Sequence, residues 1–204
     1  MKPVFGCFFI VIFIFLSSCD RKVEESVADL GFDFQPLEKG LFWIYSVDET
    51  IYFGENDSET TMFFYRDRIR DFYLNASNEQ VFILERSKSM DQKTWVSSKE
   101  FTLIRRGFTL VKTVDNQALV SLIFPPELGK AWNGNNFRNE VADEFVIDNN
   151  YEINFPEASK IIRVLQEESD DLITFRDNRY EVYGKGIGLL EKYEEVITYC
   201  SRND

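Results

Sequence analysis

The chain has no histidine, only three cysteines, and fewer basic than acidic side chains. Histidine is the commonest general base and metal ligand, so its absence excludes the Ser-His and Cys-His nucleophile arrangements. Cys7 lies in an N-terminal apolar run, Cys19 follows that run directly, and Cys200 lies close to the C-terminus. We therefore expect no catalytic site and no cofactor or metal site.

The shortage of positive charge also limits the partners of the chain. Its 23 Lys and Arg stand against 35 Asp and Glu, a formal net charge of −12. Such a chain repels the phosphates of nucleic acids and of anionic lipid headgroups. We expect no nucleic-acid partner, and no membrane contact through a basic surface.

The N-terminus carries a short apolar run. After Lys2, residues 4–16 are apolar apart from Gly6, and this run is shorter than the roughly 20 residues that span a bilayer as a helix. A basic start followed by an apolar core is typical of a secretory signal peptide. A plain signal peptide and a short membrane helix remain the alternatives.

The run ends in Leu16-Ser17-Ser18-Cys19, which resembles the lipobox of bacterial lipoproteins. The resemblance implies that the Cys19 thiol receives a diacylglyceryl group and that the chain is cleaved between Ser18 and Cys19. We expect a signal peptide over 1–18, the lipidated cysteine and a tether over 19–30, and a globular β domain over 31–204.

The same resemblance predicts a cell-envelope protein held in the membrane by the lipid on Cys19. We expect the outer membrane, on its periplasmic or surface face, rather than the inner membrane. Because Cys7 leaves with the signal peptide and Cys19 is modified, Cys200 has no intramolecular disulfide partner. We interpret Cys200 as a small apolar residue near the end of a last strand; an intermolecular disulfide is the alternative.

The remainder of the chain alternates β-branched and aromatic runs with Gly, Asn, Asp and Ser clusters, a pattern that predicts strands. The predicted strands lie near 42–53, 60–74, 80–86, 94–104, 108–114, 118–124, 140–147, 160–166, 171–175, 179–183 and 188–199. The fold class is mainly β with little helix, either a single antiparallel curled sheet (half-barrel) or a β-sandwich.

Short polar clusters predict the turns, because Asn and Asp side chains bond their own backbone. The predicted turns are at 57–58, 75–78, 105–107, 115–116 and 148–150. One helical turn is expected within 126–132.

Two stretches share the pattern P-x-E-x-G-x-x-W, from Pro36 to Trp43 and from Pro125 to Trp132. Proline fixes φ at the entry of a turn, and glycine adopts backbone conformations that other residues avoid. We interpret the pattern as turn chemistry that leads twice into a strand. The alternative is that two halves of the molecule are related.

The segments PLEKGLFWIY, GKAWNG and YEVYGKGIGLLEKYEE resemble uncharacterised β-rich lipoproteins of Bacteroidetes. That family has no assigned activity, so the resemblance implies only fold and location.

The glycine-rich stretch 184–188 lacks the spacing of a phosphate-binding loop and the helix that would follow it. We interpret its glycines as allowing a bulge or a close approach of strands. The acidic clusters are expected to form solvated surface.

Aromatic residues carry the remaining functional signal, with 20 Phe, nine Tyr and three Trp in the whole chain. We expect a non-enzymatic protein with a binding or structural role, whose partner is an envelope protein, a lipid or a glycan. The alternatives are a carrier or sensor that binds an apolar ligand inside the sheet, and a surface glycan-binding module. The candidate binding residues are Trp43, Tyr45, Trp95, Trp132 and Tyr183.

Overall fold

A computed structural model describes residues 29–54, 57–152 and 154–199 of the chain. The predicted signal peptide, Cys19, nearly all of the tether and Cys200 lie outside these residues. The described part contains a 3₁₀ turn at Phe32–Phe34 and eleven strands. The strands are β1 Phe42–Gly54, β2 Asp57–Leu74, β3 Gln80–Ser89, β4 Val96–Arg106, β5 Thr109–Val114, β6 Gln117–Ile123, β7 Ala131–Asn133, β8 Glu144–Asp148, β9 Ile161–Asp170, β10 Phe175–Gly184 and β11 Gly188–Thr198.

The strands form two antiparallel sheets in which neighbours along the chain are neighbours in space. Sheet A, a curled half-barrel, has the order β1-β2-β3-β4-β5-β6, and sheet B has the order β11-β10-β9-β8-β7. The prediction of a mainly β fold with a curled antiparallel sheet is confirmed. Since hairpins need only short turns, this order suits the many turn clusters of the sequence.

One main apolar core lies between the sheets. Its buried side chains come from both, for example Leu84, Leu103 and Leu122 from sheet A and Phe145 and Val164 from sheet B. Burial of such side chains is the principal stabilising term of the domain.

The segment before β1 covers one end of this core. Phe34 is buried, and the Phe32 ring packs edge-on against Phe124 with centroids 5.1 Å apart. The backbone N–H of Gly186, in the β10–β11 turn, donates to Asp33 O at 2.8 Å. Because consecutive strands run in opposite directions, the β2–β3, β4–β5, β6–β7, β8–β9 and β10–β11 connections share this end. We call it the proximal end, and the opposite end the distal end.

The two P-x-E-x-G-x-x-W stretches have equivalent places in the fold. Gly40 and Gly129 both have positive φ, at 96° and 81°, and directly precede the first strand of sheet A and of sheet B. Gly40 N–H donates to Ile69 O at 2.9 Å, and Gly129 N–H donates to Ile147 O at 2.8 Å. The repeat is therefore a shared strand-entry structure, used once in each sheet.

Three local predictions were wrong. Asp57 and Ser58 lie in β2, because the β1–β2 hairpin extends further than its polar residues suggested. The segment 171–174 is the turn between β9 and β10, where the Asp171 carboxylate accepts backbone N–H groups of Ile173 and Phe175 at 2.9 and 3.0 Å. No helical turn forms within 126–132, since Ala131 and Trp132 enter β7 and pair with β8.

Candidate functional site

The aromatic candidates Trp43 and Tyr45 lie on the face of β1 that is directed towards the core. The Trp43 indole N–H donates to Ile187 O at 2.6 Å, and the Tyr45 hydroxyl donates to Leu189 O at 3.2 Å. Both bonds run from β1 to the start of β11. They therefore join the β1 edge of sheet A to the β11 edge of sheet B.

Trp132 makes the corresponding contact at the other pair of edges. Its indole N–H donates to Val120 O on β6 at 2.8 Å, and its ring packs edge-on against Phe145 at 5.9 Å. The Trp residues of the two repeated stretches therefore each bond a backbone carbonyl of the opposite sheet.

Tyr183 and Trp95 occupy different environments. Tyr183 is buried on β10, where its hydroxyl donates to Glu181 Oε2 at 2.6 Å. Trp95 lies in the β3–β4 loop, with its indole N–H donating to Gln92 O at 3.1 Å and the Arg66 guanidinium 4.6 Å from its ring centroid. Trp43, Tyr45, Trp132 and Tyr183 thus line the contact between the sheets, whereas Trp95 belongs to a surface loop.

A cluster of charged side chains, absent from the sequence-based candidates, lies beside these aromatics. Asp67 is 4% exposed and Glu181 is 3% exposed. Arg86 forms a two-point contact with Asp67, with Nε–Oδ1 at 2.7 Å and Nη2–Oδ2 at 2.6 Å. The Lys112 ammonium of sheet A lies 3.9 Å from Glu181 Oε1 of sheet B. We call these four residues the inter-sheet polar cluster.

The strand register explains why these charges face inward. Lys112 lies opposite Leu103 across β4–β5, and Glu181 lies opposite Val164 across β9–β10. Residues that are directly opposite in an antiparallel pair share a face, and both partners belong to the main core.

Burial controls the electrostatics of the cluster. Desolvation lowers the pKa of the Lys112 amine, and the negative charge of Glu181 opposes this effect. Desolvation, reinforced by Glu181, raises the pKa of the Tyr183 hydroxyl far above its usual value. Burial is the largest single effect and acts to lower the pKa of Arg86, but the hydrogen bonds that Arg86 donates to Asp67 and the negative charge of Asp67 act against it, and the net shift is upward.

Asp67 and Lys112 of the cluster line a small cavity of about 30 Å³, whose wall also includes Ser121 and Gln35. This volume has room for about one or two water molecules and no organic ligand. The arrangement can hold water and fix the two sheets in register. It leaves no space for a substrate beside Lys112 while the sheets stay packed.

Two larger depressions are open at the surface. One, of about 610 Å³, follows the β7–β8 loop at Asn135 and Val141. The other, of about 540 Å³, lies along the β3–β4 loop and is lined by Met90 and Val96. Among residues 29–54, 57–152 and 154–199, no three Cys, Asp or Glu side chains gather closely enough to hold a metal ion.

Within the same described ranges, no helix has the length and apolar character to cross a bilayer. Comparisons of the chain with known protein families, with curated proteins and with solved structures found no match.

Proposed function

We propose that the chain is a lipid-anchored cell-envelope protein whose β domain has a non-enzymatic binding or structural role. The observation that carries this proposal is the filled interior. The cavity at the inter-sheet polar cluster is about 30 Å³, and Asp67 and Tyr183 on its wall are hydrogen-bonded to Arg86 and Glu181. Binding is therefore expected on the outer surface.

The anchor is supported by the lipobox resemblance of residues 16–19. Residues 20–28 separate Cys19 from Asp29, which pairs with Lys185 at the proximal end. Nine residues reach at most about 30 Å even when fully extended. The proximal end then faces the membrane, and the distal end faces away from it.

Metabolic labelling with palmitate tests the anchor. We expect label on the full chain and none on Cys19→Ala, which should also leave the membrane fraction. Cys7→Ala is the matched control, because Cys7 precedes the cleavage site and should not affect labelling. A labelled, membrane-bound Cys19→Ala protein would contradict the proposal.

Native mass spectrometry of residues 20–204, purified gently from bacterial extract, tests the site of binding. We expect the bare protein mass, because the interior has no room for an acyl chain. A bound lipid that is lost on denaturation would instead support the carrier hypothesis, since the sheets would have to separate to admit it.

A stacked tyrosine pair favours a second candidate, a surface glycan-binding module. The Tyr180 and Tyr193 rings are 5.2 Å apart with an interplanar angle of 13°, and Tyr193 is exposed. Binding to immobilised polysaccharides should fall in Tyr193→Ala and stay unchanged in Tyr73→Ala, an exposed tyrosine near the proximal end.

A further inference from the structure

Large apolar side chains are exposed at the distal end of the domain. Three distal connections carry them: the β1–β2 hairpin, the β3–β4 loop and the β9–β10 turn. Six of these side chains are between 50% and 76% exposed: Ile51, Tyr52, Phe53, Met90, Leu172 and Ile173. Exposed apolar groups of this kind indicate an interaction surface. The proximal end also exposes apolar side chains, among them Leu74, Phe108 and Leu128, so charge is what distinguishes the two ends.

The β1–β2 hairpin projects beyond the rest of sheet A. β2 pairs with β3 only from Phe64 onward, whereas its pairing with β1 continues to Asp57. Residues 57–63 of β2 therefore pair only with β1, and the two segments form a two-stranded ribbon. β1 runs beside β11, since Trp43 and Tyr45 donate hydrogen bonds to Ile187 O and Leu189 O. Both strands continue from there towards the distal end, so the ribbon lies on the same side of the domain as the end of β11.

The two ends of the domain differ in charge. The distal segments carry fourteen Asp and Glu and three Lys and Arg; these segments are 48–54, 57–62, 90–96, 115–116, 134–143, 167–176 and 193–198. The proximal segments carry eight acidic and seven basic residues; these are 29–41, 70–80, 105–109, 124–131, 149–152, 154–160 and 184–188. Both ends expose apolar side chains, but only at the distal end do these side chains lie among an excess of negative charge.

We infer that the distal end docks a cationic protein that has an apolar contact surface. This rests on the proposed function, because the lipid anchor is what directs the distal end away from the membrane. A second copy of the chain would bring two acidic ends together, and an anionic membrane would repel them, so charge complementarity selects a cationic partner. The apolar side chains supply the contact area and the carboxylates supply orientation and the rate of encounter.

A designed amphipathic peptide of leucine and lysine is the probe for this surface, and the same peptide with glutamate in place of lysine is the comparison. Binding to the full lipidated chain in detergent is followed by fluorescence anisotropy. We expect the lysine peptide to bind. Ile51→Ser/Phe53→Ser and Leu172→Ser/Ile173→Ser should each weaken its binding by about tenfold, since a few central apolar residues dominate such interfaces.

The matched control is Leu74→Ser/Leu128→Ser, which removes side chains of 56% and 67% exposure from the proximal end. This variant should bind like the wild type, and thermal unfolding should show all three variants to be folded. Equal weakening in the control, or binding of the lysine peptide no tighter than that of the glutamate peptide, would overturn the inference.

A photoreactive amino acid at Phe53, and at Leu128 as the control, extends the test to intact cells. We expect an adduct with a cationic protein at Phe53 and not at Leu128. An adduct at Leu128 alone, or with an acidic protein, would count against the inference. Loss of palmitate label would refute the anchor separately, because peptide binding at the distal end does not need the lipid.

Discussion

Lys112 and Glu181 face each other across the two sheets, and each is surrounded by core side chains. Glu181 also accepts the Tyr183 hydroxyl, so one carboxylate serves two buried partners. An ion pair in such a place adds little net stability, but removing one partner leaves the other buried and uncompensated.

The first prediction concerns this pair. Glu181→Gln should lower the free energy of unfolding by about 2 kcal/mol, measured by urea denaturation. The double variant Glu181→Gln/Lys112→Met should recover part of the loss, because it removes the uncompensated charge. Glu168→Gln, at an exposed position on β9, is the control and should change stability little. Equal stability of Glu181→Gln and the wild type would contradict the role of the pair.

Tyr183 is buried and Tyr45 is half-buried, and the second prediction concerns their hydroxyls. Desolvation raises the pKa values of Tyr183 and Tyr45 above the ordinary 10.0, so these hydroxyls stay protonated in the folded protein. Their contribution to stability is present below pH 10 and is lost as the pH rises further.

Absorbance titration of phenolate measures this effect. Tyr183→Phe should give the same phenolate signal as the wild type at every pH at which both are folded, and should differ only once the chain unfolds. A smaller signal from folded Tyr183→Phe would show that Tyr183 ionises in the native state.

At the scale of elements, the repeated stretch joins each sheet to the other. The Trp43 and Trp132 indoles donate to carbonyls at opposite edges of the sheets, after glycines in the same backbone conformation. The glycine-rich β10–β11 turn belongs to this arrangement, because a Cβ on Gly188 would lie 3.1 Å from Trp43 Nε1. Gly188 therefore leaves room for the Trp43 side chain. A register shift between Val182 and Tyr183 marks a bulge just before the turn.

The third prediction compares the three tryptophans. Trp43→Phe and Trp132→Phe should each lower the free energy of unfolding by about 1–2 kcal/mol, since each leaves a carbonyl between the sheets without its donor. Trp95→Phe is the matched control, because its indole bonds within its own loop, and it should change stability by less than about 0.5 kcal/mol. A loss in Trp95→Phe as large as in the other two variants would refute the edge-joining role.

At the scale of the whole molecule, charge is distributed unevenly. The excess of acidic residues at the distal end leaves like charges close together at exposed positions. Self-repulsion of this kind destabilises the compact state and is screened by salt.

The fourth prediction follows from this distribution. Raising the sodium chloride concentration should raise the midpoint of thermal unfolding. Glu49→Gln/Glu59→Gln at the distal end should reduce this salt dependence, whereas Glu38→Gln/Glu157→Gln at the proximal end should leave it unchanged. If both variants reduced the salt dependence of the unfolding midpoint equally, the charge repulsion would not be localised at the distal end.

The sequence alone determined the fold class and most strand positions, because alternating apolar residues and polar turn clusters are local signals. The sequence also contains the apolar run and the lipobox-like residues 16–19, from which the lipid anchor is predicted. The anchor stays a prediction. The start of β2 was predicted wrongly, because pairing with β1 extends the strand through its polar residues. The turn at 171–174 was predicted to be a strand, because its structure depends on the hydrogen bonds that the Asp171 carboxylate accepts.

The inter-sheet polar cluster and the difference in charge between the proximal and distal ends arise only from the tertiary structure. Lys112 does share a strand face with Leu110, so an inward charge could have been suspected. Its partner Glu181 lies in the other sheet, however, and no local pattern links the two positions. The distal surface likewise arises because antiparallel strands bring connections that are distant in sequence to the same end of the molecule.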